Sequence, residues 1–305
     1  MNFIEQAYKG ENQFWKWLIT ILVVMSPFIF NFMFYFLMPE AYDELMNETE
    51  DFKGDKNIFL IENLIPFAVL LVLLFLFVKF LHQRSIKSLI TSRNKVDWKR
   101  FFYGFFSWGL ISIAFLSLGY FLTPEDYVWN FKAGPFFFLL IISLLLIPIQ
   151  TSLEELLFRG YLMQGIGILA KNRWVPLIIT SVLFGVMHIL NPEVTKLGSS
   201  IMVFYIGTGF LFGIITLMDE GTELALGIHA INNIVAATLV ASNWAVFQTD
   251  ALFIDHSEPS LLLLMMLPVF VVYPLYLLLL SKKYGWKNWK EKLFGKIEKP
   301  IIVEE

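Results

Sequence analysis

Two adjacent carboxylates and a guanidinium, Glu154, Glu155 and Arg159, follow a long apolar stretch of the sequence. The stretch, residues 135–148, carries no charged side chain. Charged groups at membrane depth are costly and are usually functional. On a helix, Glu155 and Arg159 lie four residues apart on one face, which predicts an ion pair. Glu154 points about 100° away from Glu155 and has no local partner, so its surroundings decide what the stretch does.

Three more polar residues lie in apolar segments further along the chain: His188, His229 and Asn233. His229 and Asn233 share a helical face, and Asn232 is a weaker candidate for that face. His188, His229 and Asn233 each have a purely structural interpretation, since buried His and Asn often serve only to join helices. Burying them separately would leave costly polar groups unsatisfied. We therefore predict that they converge with Glu154 on one polar, water-holding cavity.

Such a set of side chains is suited to the hydrolysis of an amide bond. A buried glutamate can act as general base toward water. An Asn amide and a protonated His can donate hydrogen bonds to the oxyanion that forms. Alternatively, Glu154, His188 and His229 hold zinc or another divalent metal, with water as the fourth ligand. The sequence has no His-Glu-x-x-His motif, so a metal-free mechanism is favoured and no cofactor is assigned.

Composition predicts an all-α, polytopic membrane helical bundle. The chain has 305 residues, of which 57% are hydrophobic and only 16% are charged. A soluble domain of this size would carry about 25% charged residues. The absence of cysteine excludes disulfides and thiolate metal sites. We find no repeat, low-complexity linker or appended soluble segment, which predicts a single transmembrane domain over residues 1–305.

Eight segments are long and apolar enough to be predicted as membrane spans. They are residues 14–38, 58–80, 101–122, 135–170, 174–190, 199–218, 222–243 and 261–280. Pro27 predicts a kink in the first span. The predicted connections include an acidic loop at residues 39–57 and a basic loop at residues 81–100. His82 and His256 fall in loops, where no special role is predicted.

Charge asymmetry predicts the topology. The basic loop at 81–100, the turn at 171–173 and the lysine-rich tail from residue 281 fall on one side of an eight-span bundle. The acidic loops after spans one, three and seven fall on the other side. Because basic residues mark the cytoplasmic side, both termini are predicted to be cytoplasmic. The basic tail also suits anionic lipid headgroups.

The polar residues can converge only if their helices place them at the same depth in the membrane. A fourth helix that continues to Ala170 has 36 residues and a length of about 54 Å, against a bilayer core of about 30 Å. Such a helix protrudes from the membrane and brings Glu154 close to mid-membrane. Counting outward from Lys171 then puts His188 at a similar level. The predicted site therefore requires a long, protruding fourth helix.

Three short motifs together resemble a known family. They are Glu154-Glu-x-x-x-Arg159, Phe184-x-x-x-His188 and His229-x-x-x-Asn233, in this order on the spans. The pattern resembles the CPBP family, which includes type-two CaaX prenyl endopeptidases and bacterial Abi and bacteriocin-processing relatives. It covers roughly residues 136–242, the predicted core that carries the motifs. The resemblance implies an intramembrane endopeptidase that cleaves a membrane-embedded or lipidated peptide or protein.

The resemblance also implies a role for each matching residue. Glu154 would be the general base, and His188 would hold or activate the water. His229 and Asn233 would stabilise the oxyanion, while the second Glu of the pair and Arg159 would support them. Every motif position is filled, so nothing in the sequence argues for an inactive enzyme. The family is commonly described as metalloprotease, but a metal-free glutamate mechanism matches the residues at least as well.

Two other classes of function compete with the endopeptidase. A proton-coupled transporter also uses buried Glu and His, but the sequence shows no repeated halves. A non-catalytic membrane partner, such as an immunity protein, would retain its function after Glu154→Gln. Compact loops and the lack of a retention signal favour a bacterial inner (plasma) membrane. The lipid bilayer is an expected partner and nucleic acid is not.

Overall fold

The structure is a computed structural model that describes residues 1–50, 54–242 and 244–300. Lys53 of the predicted acidic loop and residue 243, the predicted end of the seventh span, lie outside the described residues. The described chain is an all-α bundle with a few short strands. Its α-helices are α1 (Phe14–Val24), α2 (Ser26–Leu37), α3 (Pro39–Glu50), α4 (Lys56–Leu76), α5 (Lys87–Ile90), α6 (Trp98–Leu122), α7 (Ala133–Glu155), α8 (Met163–Ala170), α9 (Trp174–Val186), α10 (Pro192–Leu197), α11 (Met202–Asp219), α12 (Glu223–Thr238), α13 (Tyr273–Tyr284) and α14 (Trp289–Phe294).

Wider and tighter helical turns extend several of these helices. π-Helical turns occur at Phe77–Leu81, Leu156–Leu162, Leu262–Met266 and Pro268–Val272. 3₁₀ turns occur at Ile4–Lys9, Pro124–Asp126 and Ser199–Ile201. The π turn at Leu156–Leu162 joins α7 to α8, so that Ala133–Ala170 is one helix of 38 residues. The long fourth helix that the sequence requires is therefore present.

Long apolar helices identify a multi-pass membrane protein. In the described part of the chain, four helices are long and apolar enough to cross a membrane: Lys56–Leu81, Trp98–Leu122, Ala133–Ala170 and Ser199–Asp219. A fifth crossing is reached if the pair α1 and α2, bent by 62°, forms one span. The bend lies next to Pro27, as predicted, because proline lacks an N–H and clashes with the preceding turn.

Other predicted spans are shorter than expected. α9 has 13 residues and α12 has 16. The separate helix α10 begins at Pro192, because a proline disfavours helical backbone at the residue before it, here Asn191. α12 ends at Thr238, and the strand Val240–Ser242 begins two residues later. The length criterion therefore gives fewer crossings among the described residues than the eight predicted from the sequence.

Several predicted loops contain regular structure. The acidic loop at residues 39–57 contains α3, which contradicts the loop assignment. Pro39 suits the first turn of a helix, and Glu40 interacts favourably with its N-terminal dipole. The predicted loops after the third and seventh spans contain the strands β1 (Tyr127–Trp129) and β3 (Phe253–Asp255), which form a small sheet with β2 (Val240–Ser242). β2 lies within the predicted seventh span, whose last described residues are therefore strand and not helix. β3 lies centrally, antiparallel to β1 and parallel to β2.

The core forms where the helices that carry the polar motifs cross. α12 packs closely on α6 and on α7, while α9 packs against α11. The π turn after Glu155 lies at the centre, because all seven of its residues are buried. The N-terminal segment also belongs to the core: Phe3, Ile4 and Ala7 are fully buried. The fold therefore encloses the Glu154–Arg159 segment on several sides.

Candidate active site

Glu154 lies in the last turn of α7, with its side chain 13% exposed. Its Oε1 accepts a hydrogen bond from Nε2 of Gln150, one turn earlier. Its Oε2 is buried and has no hydrogen-bond partner among the described residues. The same Oε2 lies 3.5 Å from Nε2 of His229 on α12. One carboxylate oxygen is thus held, and the other faces a histidine from another helix.

Glu155 points away from Glu154 toward a buried cation. Its Oε1 lies 3.1 Å from Nη1 of Arg159, and both side chains are fully buried. The predicted ion pair is therefore present. Arg159 also donates through Nη2 to the Gly209 carbonyl at 3.0 Å, and its guanidinium lies 4.3 Å from the centre of the Phe184 ring. These contacts hold the cation within the bundle.

His229 links the two glutamates. Its Nδ1 lies 2.9 Å from Oε1 of Glu155. A carboxylate paired with Arg159 can only accept a hydrogen bond, so Nδ1 carries the hydrogen. Nε2 is then the ring nitrogen presented to Glu154. The ring of Phe212 stacks on the imidazole with centroids 5.0 Å apart. The imidazole is therefore fixed in both tautomer and plane.

His188 follows α9 and lies at the edge of the cluster. Its Nδ1 is 2.7 Å from the Phe184 carbonyl, which only accepts, so the hydrogen is on Nδ1 and Nε2 has the lone pair. Tyr205 stacks on the ring with centroids 4.5 Å apart. The Phe184 ring lies close to both His188 and His229, at centroid distances of 4.8 and 5.9 Å. Within the described residues, no direct hydrogen bond joins His188 to Glu154 or His229.

Asn233 joins the cluster through Gln150, Asn232 and Trp108, of which the sequence indicated only Asn232, and that as a weaker candidate. Its Nδ2 donates to Oε1 of Gln150 at 3.3 Å. Asn232 in turn donates through Nδ2 to Oδ1 of Asn233 at 3.2 Å. The Trp108 indole of α6 donates through Nε1 to Oδ1 of Asn232 at 3.1 Å. Gln150 could have been predicted, because it lies four residues before Glu154 on the same helical face. Trp108 left no such signal.

The arrangement does not fit a metal centre. In residues 1–50, 54–242 and 244–300, no group of three or more His, Cys, Asp or Glu could hold a metal ion. The set Glu154, His188 and His229 therefore lacks the geometry of a three-ligand zinc site.

The two loop histidines differ. His256 is exposed, in keeping with the prediction of no special role. His82 contradicts that prediction, because it is fully buried. Its Nδ1 lies 2.8 Å from the Glu11 carbonyl, and its Nε2 lies 2.7 Å from the Tyr161 hydroxyl. Burial lowers the pKa of His82 to about 4, so the ring is neutral at physiological pH.

Comparison with known proteins identifies the family. The family described as "Type II CAAX prenyl endopeptidase Rce1-like" matches residues 132–235, which include all three motifs. The uncharacterized protein YyaK of Bacillus subtilis (strain 168) is 30% identical over 254 residues, which cover 81% of this chain and 85% of that protein. No solved structure matches the chain.

A multi-pass helical bundle with a buried Glu and His cluster is thus the class that fold and site define. The chain belongs to the Rce1-like, type II CAAX prenyl endopeptidase group of the CPBP family, and the resemblance stated from the motifs is confirmed. The family is associated with intramembrane protease activity. Neither match describes an Abi protein or a metalloprotease, so these two expectations have no support.

Proposed function

We propose that the protein is an intramembrane endopeptidase in which Glu154 activates water. The observation that carries the proposal is the buried Oε2 of Glu154, which is free of hydrogen bonds among the described residues and lies 3.5 Å from His229 on a separate helix. A carboxylate oxygen in this position can take a proton from water as the water attacks a carbonyl carbon. Membership of a family associated with protease activity also supports the proposal.

In this mechanism, each remaining residue has a task that fits its contacts. His229 has its Nδ1–H directed at Glu155, and in the doubly protonated ring Nε2–H is a donor toward the substrate oxyanion. Asn233 is the second donor, because only one of its two amide hydrogens is directed at Gln150. His188 orients the water through the lone pair of Nε2. Glu155 and Arg159 hold His229 in place.

The cleaved amide must reach this site from the membrane. We propose a membrane-embedded or lipidated peptide as substrate, and a bacterial inner membrane as the location. We also propose eight crossings with both termini in the cytoplasm, which agrees with the basic segments of the chain. Phe3 and Lys292 both contact the Glu220 carboxylate, so the N-terminal segment and α14 lie at the same end of the molecule.

The test uses purified full-length protein in liposomes and a farnesylated peptide with a fluorophore and a quencher on either side of the cleavable bond. Glu154→Gln retains the shape of the side chain but removes the base, so cleavage should fall by about 10²–10⁴-fold. Glu125→Gln, at an exposed position, is the matched control and should cleave like the wild type. Wild-type activity in Glu154→Gln would overturn the proposal.

A second arm of the assay addresses the metal alternative. Because the described side chains do not form a three-ligand site, a chelator such as 1,10-phenanthroline should leave the rate unchanged. Loss of cleavage with the chelator and recovery on adding Zn²⁺ would contradict the glutamate mechanism. The same peptide and the same preparation serve both arms, so the two outcomes are directly comparable.

A further inference from the structure

We propose that Trp108 is a positioning residue that sets the direction of a chain of side-chain amides ending at Glu154. The inference rests on the proposed function of Glu154 as the base. Trp108 belongs to α6, and no motif of the sequence includes it. Its importance comes from a property of the indole group, whose Nε1–H can donate a hydrogen bond but cannot accept one.

The chain has four consecutive links across three helices. The first three join Trp108 Nε1 to Asn232 Oδ1 at 3.1 Å, Asn232 Nδ2 to Asn233 Oδ1 at 3.2 Å, and Asn233 Nδ2 to Gln150 Oε1 at 3.3 Å. The last runs from Gln150 Nε2 to Oε1 of Glu154. Every link therefore runs in the same sense, with the nitrogen on the Trp108 side of the link as the donor.

Both ends of the chain independently require this direction. At one end, the atom of Asn232 that faces the indole must be oxygen, because the indole only donates. Its nitrogen must then face Asn233, and the same reasoning orients Asn233 and Gln150 in turn. At the other end, an ionised Glu154 can only accept, so the Gln150 atom that faces it must be nitrogen. The orientation of all three amides thus follows from the chemistry of the two ends.

The direction matters for both parts of the proposed chemistry. It gives Oε1 of Glu154 a donor and leaves Oε2 available as the base. It also turns the nitrogen of Asn233, rather than its oxygen, toward the interior of the site. Without the indole donor, the amides can reverse together, and an amide oxygen would then face the carboxylate. The reversed chain would favour a protonated Glu154 that cannot act as base.

The indole is itself held by aromatic neighbours. The rings of Tyr276 and Tyr273 on α13 lie 5.0 and 5.9 Å from that of Trp108. Trp108 is only 7% exposed, so water does not readily replace its hydrogen bond. A Phe side chain at this position would retain most of the ring packing but would lack the donor. Trp108→Phe is therefore the variant that isolates the hydrogen bond.

The kinetic test compares Trp108→Phe with wild type over a range of pH. Loss of one buried hydrogen bond predicts a fall in kcat of about 2–10-fold, with KM nearly unchanged. The acid limb of the kcat/KM profile should move to higher pH, because Glu154 loses its donor. Tyr276→Phe is the control: it removes the 2.8 Å contact with Ser107 in the same neighbourhood but leaves the amide chain intact. Equal pH profiles for wild type and Trp108→Phe would overturn the proposal.

A spectroscopic test does not depend on activity. The full-length protein is labelled with ¹⁵N at the tryptophan indoles in detergent micelles, and the Trp108 resonance is identified by its loss in Trp108→Phe. This resonance should shift with pH in wild type, and the shift should disappear in Glu154→Gln. A Trp108 resonance that ignores both pH and Glu154→Gln refutes the chain. If the pH-linked shift is present but no peptide is cleaved, the chain stands and the proposed protease function fails.

Discussion

Arg159 is a buried cation that depends on its neighbours for charge compensation. It is fully buried, and in the described structure Glu155 supplies its ion-pair partner. Removing one partner of a buried pair leaves an uncompensated charge, at a cost of about 3–5 kcal/mol. Glu155 also orients His229 through Nδ1, so one carboxylate supports both stability and the site. These two contributions can be separated by mutation.

We expect Glu155→Ala to destabilise the protein by about 3–5 kcal/mol, because it leaves Arg159 buried without a partner. The double variant Glu155→Leu with Arg159→Met should recover most of this stability, since an apolar pair often replaces a buried ion pair well. Thermal unfolding in detergent gives the stability, and the farnesylated peptide gives the activity. Cleavage should stay low in the double variant, because His229 still lacks its acceptor. A melting temperature of Glu155→Ala equal to wild type would contradict this account.

At the residue scale, the sequence predicted the pairing of Glu155 with Arg159 and the approach of His229 to Glu154. Both follow from helical spacing and from the cost of burying polar groups apart. The contacts of Asn233 pass through Gln150, which its position one turn before Glu154 could have indicated, and through Asn232, which helical spacing made only a weaker candidate. The role of Trp108 could not be predicted, because an aromatic residue in an apolar helix is ordinarily a packing residue. Only its three-dimensional position shows that its N–H is used.

At the scale of elements, the crossing of α6 and α12 positions His229. The two backbones touch: a Cβ on Gly227 would lie 2.1 Å from the carbonyl oxygen of Phe101, and one on Gly104 would lie 2.7 Å from that of Leu224. Glycine is needed at both positions for this close approach. Because His229 lies two residues after Gly227, the separation of the helices sets how close its ring comes to Glu154.

Gly227→Ala should therefore reduce both stability and cleavage. The added methyl group meets backbone atoms that cannot rotate away, and overpacking of this kind costs about 1–3 kcal/mol or more. Gly134→Ala is the matched control, since a Cβ there meets nothing within 4 Å. Melting temperature and peptide cleavage are measured for both variants in the same detergent. Equal values for the two variants would show that the α6–α12 contact is not restrictive.

The elements were predictable where hydrophobicity or a proline determines them. The long helix through Ala170 and the bend beside Pro27 both agree with the sequence. The π turn at Leu156–Leu162 was not predictable, because its wider turn depends on tertiary packing rather than on a residue pattern. π turns often occur at functional sites, and this one begins directly after Glu155. The three short strands were not predictable, because residues of two loops and of the end of the predicted seventh span form them only after the helices bring them together.

At the scale of the whole molecule, ion pairs connect several segments of the chain at one end. Asp219 lies 2.9 Å from Arg93 and also pairs with Arg100. Its neighbour Glu220 contacts Arg173 at 3.2 Å and pairs with Lys292 of α14. The basic segments that predicted the topology thus meet around two adjacent carboxylates. The α11–α12 turn, which lies between these carboxylates and the helix of His229, is fixed by the same cluster.

Two groups at this end make the fold sensitive to acid in separate pH windows. Although burial alone would raise it, Arg173 and Lys292 hold the pKa of Glu220 below its ordinary value. Its stabilising effect is present above the unfolded-state value of about 4.3 and is lost as pH falls through the lower folded value. Burial lowers the pKa of His82 to about 4, against about 6.5 when unfolded. Its effect is therefore present above pH 6.5 and is lost between about pH 6.5 and 4.

We expect the melting temperature of the wild-type protein in detergent to fall as pH decreases from about 6.5 to 4, with up to about 3 kcal/mol lost through His82. His82→Asn retains an amide that can donate to the Glu11 carbonyl but cannot titrate, so the fall in this window should become shallower. His256→Asn, at an exposed position, is the control and should retain the wild-type slope. The decline below about pH 4.3 that comes from Glu220 should persist in His82→Asn and diminish in Glu220→Gln. Parallel profiles for wild type and His82→Asn between pH 6.5 and 4 would show that the buried imidazole does not limit acid stability.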